Sequence, residues 1–448
     1  SPARFMSSLK EPLNKNPRMN LRSLFSQRLF LFLAAGGLAL RILLVLLRPS
    51  LLGADEVIYD PLGWGLASSG RYILDGTPAT WPPGYPAFLA LIYSIFGHST
   101  VAAGIVQSLL DILTGAILAA LGTRRFGMRT GEVIFALWMF VPMRALLPSL
   151  LISEASFLLF FVAALAIFSV RGWGAAILNG LLWTAILYTR PVAAAAVLVL
   201  AVGRWYYEKW RALVPVCMTA LLLLPYALWN LHTHGTFTIY TGAGINFYMG
   251  HNAQSNGGYG FPQGQLPWDT LSAPREMAVN KIALQAGVRD MLTHPWREPM
   301  LLLRKTALFF MSDVPIMLVY SPQPEDSEMS LRRQIASRPI LARLLVALPY
   351  MLIVLLAWTG FFFLKSWEGQ WVWWASAATF FLLSLVFVAV PRYHEPLMPL
   401  LVLQAGAMLA LPKSEKRKPS VLASRIWLLG SLGFISIWIA EWAVVLTA

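Results

Sequence analysis

Charge is what this sequence has least of. Only 12% of its 448 residues are Asp, Glu, Lys or Arg, roughly half the share of an ordinary soluble domain. A chain this long has room for about two or three soluble domains, and the lack of charge excludes them. Acidic residues are the scarcest, 21 against 35 Lys and Arg, for a net charge of +14. In a soluble chain such a balance suggests nucleic acid. In a chain this apolar it points to basic cytoplasmic loops, and no nucleic-acid partner is expected. There is one cysteine, Cys217, so an intrachain disulfide is excluded and the external loops have no covalent staple. The first apolar run ends in Leu47-Arg48-Pro49 rather than in small residues, so no cleavable signal is expected. Ser1 to Phe5, ahead of Met6, are set aside from the fold argument. HExxH, P-loop and GxSxG patterns are missing, as is GxGxxG between a strand and a helix.

Hydrophobic residues make up 57% of the chain, and they fall in long runs of the kind that span membranes. Hydropathy predicts about eleven spans: 29–47, 100–121, 131–147, 150–170, 172–188, 192–202, 212–230, 341–364, 371–390, 397–411 and 426–446. The fold class is therefore an all-α polytopic membrane protein. Arg18, Arg22 and Arg28 before the first span place the N-terminal segment, 1–28, in the cytoplasm. Counting spans then puts four more basic sites on the same side: Arg124-Arg125 with Arg129; Arg171; Arg204 with Lys209 and Arg211; and Lys413 to Lys418. Were 299–311 to cross, the Lys413 group would change sides, so that short run with Arg304 and Lys305 reads as interfacial or re-entrant. The run 85–96 reads the same way. The resulting organisation is a bundle over 29–230 with a first external loop at 48–99, a large external loop at 231–340, and C-terminal helices over 341–448. The large loop opens on a Gly/Asn/Tyr stretch and predicts a helix over 275–294.

The chemistry-bearing residues cluster at the outer ends of these spans. Asp55 and Glu56 follow the first span closely. A carboxylate so placed can take a hydroxyl proton, and with equal weight Asp55 can cap the next helix with Glu56 in its first turn. Trp81-Pro82-Pro83-Gly84-Tyr85-Pro86 is a stiff aromatic corner, either a turn before an interfacial helix or a pocket wall. Arg392, in Pro391-Arg392-Tyr393-His394-Glu395-Pro396, suits an anionic phosphate or snorkels to headgroups. Glu154 and Arg190 can line the same cavity or pair with each other. Arg41 and Asp111, inside spans, can form a buried pair or a transport relay. His232 and His234 are too few for a metal site.

Taken in order, these residues resemble a family. Asp55-Glu56, Tyr59, Gly70, Pro82-Pro83-Gly84-Tyr85-Pro86, Tyr93 and Phe96-Gly97 look like the first external loop of GT-C fold glycosyltransferases. The nearest branches are the protein O-mannosyltransferase and lipid A aminoarabinose transferase superfamily. Ser153-Glu154, Thr189-Arg190-Pro191, Gly244-Ile245-Asn246-Phe247, Gly250-His251-Asn252 and Arg392-Tyr393 with Pro396 and Pro399 follow in matching order, so the resemblance runs from the first span to about Leu411. It implies a bacterial inner-membrane enzyme with a periplasmic active site. Such an enzyme takes a sugar from a polyprenyl-phosphate donor and passes it, usually with inversion, to a lipid or glycan acceptor. Asp55 is then the catalytic base and Glu56 its orienting neighbour. Arg392, Arg190, Arg304 and Lys305 are candidates for the donor phosphate. Tyr59, Trp81, Tyr85, Glu154, Tyr393, His251 and Asn252 are candidates for substrate contact. The lipid A branch carries a Lys before its paired prolines where this chain has Trp81, which sets the aminoarabinose assignment apart. Some members use a divalent metal, but the mechanism does not require one and the sequence shows no ligand cluster. Pro61 predicts a kink after Tyr59. A transporter or flippase of a lipid-linked substrate is the competing reading, and a noncatalytic polyprenyl-lipid binder is a third.

Overall fold

The computed structural model describes residues 28–48, 55–269, 276–315 and 335–446. Arg18, Arg22, Gly53-Ala54 and the stretch 316–334 lie outside the described residues. Each of the eleven apolar runs contains helix, and 131–147 is broken into two. In chain order the described helices are α1 (Arg28–Leu46), α2 (Glu56–Ser69), α3 (Gly84–Phe96), α4 (Thr100–Phe126), α5 (Met128–Phe140), α6 (Pro142–Leu146), α7 (Glu154–Ile167), α8 (Trp173–Thr189), α9 (Ala194–Glu208) and α10 (Leu213–His234). The large loop contributes α11 (Ala243–His251), α12 (Glu276–Thr293) and α13 (Glu298–Phe310). The chain closes with α14 (Ile340–Phe363), α15 (Gln370–Val386), α16 (Met398–Ala410) and α17 (Val421–Leu446). The sheet content among the described residues is one hairpin, β1 (Ile73–Leu74) with β2 (Thr77–Pro78), closed by Asp75-Gly76 at φ 49° and 78°, as a type I′ turn demands.

The expected count of eleven crossings does not match the helix lengths. Among the described residues five stretches are long and apolar enough to cross a membrane: Arg28–Leu46, Thr100–Phe126, Pro191–His234, Ile340–Phe363 and Val421–Ala443. A sixth is the pair made by α5 and Pro142–Ser149, bent by 61°. Pro142 causes that bend, because it drives Val141 to an extended conformation (ψ 123°). Helices α3, α7, α8 and α15 are apolar but shorter. The 14 residues of α7 rise only about 21 Å at 1.5 Å each, against roughly 30 Å of hydrocarbon. The helix α7 packs inside protein, whereas α3, α8 and α15 each keep exposed apolar side chains, among them Leu91, Leu181 and Leu382. The helix α16 is the extreme case, buried without interruption from Met398 to Ala407. The helix α17 is its opposite, with 6% of its apolar window buried, and presents its side chains to lipid.

Two buried charge pairs stand inside the bundle. Arg41 places Nε 3.0 Å and Nη2 2.6 Å from Asp111 Oδ2, and donates to the carbonyls of Gly37 and Met139. Arg144 pairs with Glu395. The donors of Arg41 are thereby spent on structure. The helix expected over 275–294 is α12, and α13 covers the short run with Arg304 and Lys305. Pro61 does not end α2, which continues through it to Ser69.

Candidate active site

Asp55 stands at the N-terminal boundary of α2, where its side chain makes no capping hydrogen bond. Its carboxylate turns instead to Arg392, with which it forms an ion pair. Arg392 comes from the far end of the chain. The helix α15 stops at Val386, an extended stretch follows, and Pro391 opens a tight turn, Pro391–Leu397, with its fixed φ and missing N–H at the first position. From that turn Arg392 reaches two carboxylates at once. Its Nη2 holds Asp55, and its Nε lies 2.9 Å from Glu154 Oε1. The same Glu154 oxygen accepts a 2.9 Å hydrogen bond from Arg190 Nη2. Arg190 is set by Pro191, which forces the preceding residue out of the helix (φ −142°, ψ 87°) and so ends α8 at Thr189. Glu154 lies in the first turn of α7, where a negative charge is favourable.

The cluster thus holds two carboxylates and two guanidiniums, for a formal charge of zero. Glu154 is 1% exposed, while Asp55 and Arg392 are 23% and 26% exposed and open onto a cavity. Burial acts to lower the Arg392 pKa, but Glu154 and Asp55 outweigh it and hold the guanidinium firmly charged. Burial, reinforced by Asp55, pushes the Tyr59 hydroxyl up and keeps it protonated.

The cavity measures about 300 Å³, at the small end of ligand sites. Asp55, Tyr59, Trp81 and Pro82 form one side, and Thr189 to Val192 the α8–α9 corner. The run from Tyr240 to Met249 brings in the large loop, joined by Tyr259 and Glu276. Phe380, Leu383, Phe387 and Val388 supply an apolar wall, and Arg392, Tyr393 and Pro396 complete it. The Trp81 corner is held by hydroxyls: Tyr72 and Tyr226 donate to the Trp81 carbonyl at 2.7 and 3.0 Å, and Thr241 donates to Thr80 at 2.8 Å. Gly84 fits here because a Cβ would lie 2.6 Å from the carbonyl carbon of Tyr188 and 2.8 Å from the nitrogen of Thr189. Those are backbone atoms and cannot swing aside. Gly84→Ala is therefore expected to cost about 1–3 kcal/mol and to push the Trp81 corner off Arg190. A lowered Tm in detergent together with reduced transfer is the expected result, and an unchanged Tm refutes the contact.

Of the residues singled out from sequence, Asp55, Tyr59, Trp81, Arg190, Arg392 and Tyr393 line this cavity, with Glu154 behind the two arginines. Others do not. Glu56 is turned away and accepts from Arg48 at 2.6 Å and from the Leu151 N–H at 2.7 Å. Tyr85 is buried under Tyr59 and donates to Gln107. Arg304 is exposed on α13. Lys305 and His251 form a separate buried set. Lys305 Nζ donates to the Leu385 carbonyl at 3.0 Å and lies 2.9 Å from His251 Nε2, while His251 Nδ1 is 2.9 Å from Glu298. This set caps the orphan carbonyl end of α15, and burial pushes the Lys305 amine down to about 8. Asn252 is spent on its own loop, donating to Tyr248 and accepting from Gln254. The sequence reading passed over Tyr240, Tyr259, Glu276 and Ser384, and gave Asn246 no role. The Gly/Asn/Tyr stretch was the available signal for Asn246 and Tyr259.

Guanidiniums hold Asp55 and the Glu154 behind it, while Glu276 lines the cavity from the large loop. Elsewhere, Asp313, His394 and Glu395 bring donor atoms within 4.8 Å of one another. Protein groups already engage them. His394 Nε2 is 3.0 Å from Asp313, its Nδ1 donates to the Phe309 carbonyl, and Glu395 pairs with Arg144.

No protein-family model matches the sequence, and no curated protein does. Solved structures do. ArnT from Cupriavidus metallidurans, crystallised with undecaprenyl phosphate, superposes with a TM-score of 0.50 at 13% identity over 89% of this chain. The oligosaccharyltransferase of Archaeoglobus fulgidus in its apo form gives 0.48 at 13% identity over 94%. The chain spans only 62% of ArnT and 56% of the oligosaccharyltransferase. At such identity the likeness to ArnT is one of fold, and on that basis the chain has the GT-C fold.

Proposed function

We propose that the protein is an integral-membrane glycosyltransferase that moves a sugar from a polyprenyl-phosphate carrier to an acceptor hydroxyl. The reaction takes place on the periplasmic face of a bacterial inner membrane and inverts the anomeric centre. The observation that carries this reading is the meeting of Asp55, Arg392, Glu154 and Arg190 at a cavity whose other wall is apolar. A hydroxyl is a weak nucleophile and needs one base at attack distance; Asp55 is the carboxylate of the cluster open to the cavity. A carrier phosphate is already a good leaving group and needs a cation rather than an acid. Arg392 supplies it, with Arg190 beside it. Attack assisted by a single base, with no covalent intermediate, inverts the sugar. The apolar wall of Phe380, Leu383 and Phe387 suits the first isoprene units of the carrier. The undecaprenyl phosphate in the ArnT structure is a carrier of the same class.

Native mass spectrometry of the purified protein with undecaprenyl phosphate tests the reading. One carrier bound per chain, displaced by inorganic phosphate only at high excess, is the expected outcome. Failure to bind the carrier in lipid-like detergent ends the donor assignment.

A further inference from the structure

We propose that Tyr240 and Asn246 form the sugar-reading site of the cavity, matched to two adjacent hydroxyls of the carried sugar. This rests on the glycosyltransferase reading and adds a specificity element to it. Asn246, in the first turn of α11, donates both amide hydrogens within the loop: one to the Tyr240 hydroxyl oxygen at 2.9 Å and one to the Gly242 carbonyl at 2.9 Å. The amide orientation is thereby fixed, and its carbonyl oxygen is the end left over. No hydrogen bond from a described residue reaches that oxygen. The Tyr240 hydroxyl in turn is an acceptor towards Asn246, so its own hydrogen is free to be donated. Burial pushes Tyr240 up to about 12, which keeps that hydrogen in place.

The pair therefore offers one fixed acceptor beside one fixed donor, and both residues line the cavity. A vicinal diol needs that complement, since one hydroxyl can donate to Asn246 Oδ1 while its neighbour accepts from Tyr240. The pair is also well placed. Tyr240 lies close enough to Arg190 to feel its charge, and both line the cavity with Arg392, so a sugar on the Arg190–Arg392 phosphate site falls within its reach. Both groups are locked before any ligand arrives, and preorganised polar groups of this kind discriminate against ligands that leave them unpaired.

The test compares three probes by native mass spectrometry: undecaprenyl phosphate, undecaprenyl phosphoglucose and undecaprenyl phosphomannose. Wild type is expected to bind at least one sugar-loaded carrier about tenfold more tightly than the bare one, roughly the worth of one or two good hydrogen bonds. Tyr240→Phe and Asn246→Ala are each expected to erase most of that advantage and to leave bare-carrier affinity within about twofold of wild type. The double variant loses no more than the worse single one, because the two side chains act as one unit. Tyr240→Phe removes a single oxygen, and an unchanged Tm checks that it folds. An advantage that survives in the variants overturns the proposal. So does bare-carrier affinity falling by the same factor, or a wild type that gains nothing from either sugar. A wild type that does not bind even the bare carrier refutes the donor reading beneath it.

Discussion

Asp55→Asn is expected to abolish transfer and, at the same time, to bind undecaprenyl phosphate more tightly than wild type. The loss follows from removing the base, a change that typically costs about 10²–10⁴-fold in rate. The gain follows from the ion pair. Arg392 is occupied by Asp55 and Glu154, and the cluster of two carboxylates and two guanidiniums carries no net charge. A carrier phosphate must displace one carboxylate, and Asp55 is the exposed one. Asparagine removes the competitor and leaves one positive charge for the phosphate. About tenfold tighter binding, 1.4 kcal/mol, is the size expected for release of a partly exposed pair. A gain of affinity is informative because damage to the fold cannot produce it. Wild-type transfer rates in the variant remove Asp55 as base, and unchanged or weaker carrier binding removes the competition.

In the proposed reaction the same pairing sets an order. While Arg392 holds Asp55, the carboxylate is engaged and the phosphate site is filled from within. Arrival of the donor transfers Arg392 to the phosphate and frees Asp55 for the acceptor hydroxyl. On that reading the base is released when a carrier phosphate takes Arg392, and not before.

Much of this was legible in the sequence for simple physical reasons. A charged residue at the end of an apolar run is costly, so Glu154, Arg190 and Arg392 announced themselves, and Pro191 beside Arg190 fixed where α8 stops. Type alone could not say what each group faced. Lys305 and His251 have the right chemistry for a phosphate but cap the carbonyl end of α15. Glu56 adjoins Asp55 but serves the Leu151 backbone. One helical step of about 100° separates the two carboxylates, and hydropathy does not report it. Composition does not give the crossing count for a related reason: it fits a lipid-facing helix such as α17 and a protein-buried one such as α16 equally well. Tyr240 was hidden because a neutral side chain in an irregular stretch leaves no periodic signal, and Asn246 stood in the Gly244-Ile245-Asn246-Phe247 match without a partner to give it a role.

Arg392→Ala is expected to lose donor binding by about 10–150-fold, the worth of one charge-assisted hydrogen bond at 1.5–3 kcal/mol. Its effect on stability should be smaller than that of breaking a fully buried pair, roughly 3–5 kcal/mol. Glu154, the buried partner, keeps Arg190, and Asp55 is exposed enough to be solvated. Arg392→Lys separates charge from shape. A lysine restores the cation but offers a single point where the guanidinium touches Asp55 through Nη2 and Glu154 through Nε. It should recover part of the affinity for undecaprenyl phosphate while leaving transfer low, because the geometry that hands Asp55 to the acceptor is gone. Native mass spectrometry with the bare carrier, read beside a transfer assay, distinguishes the two effects. Equal carrier affinity in wild type and Arg392→Ala overturns the phosphate role. Full transfer in Arg392→Lys shows that charge alone is enough and that the fork between the two carboxylates has no part in catalysis.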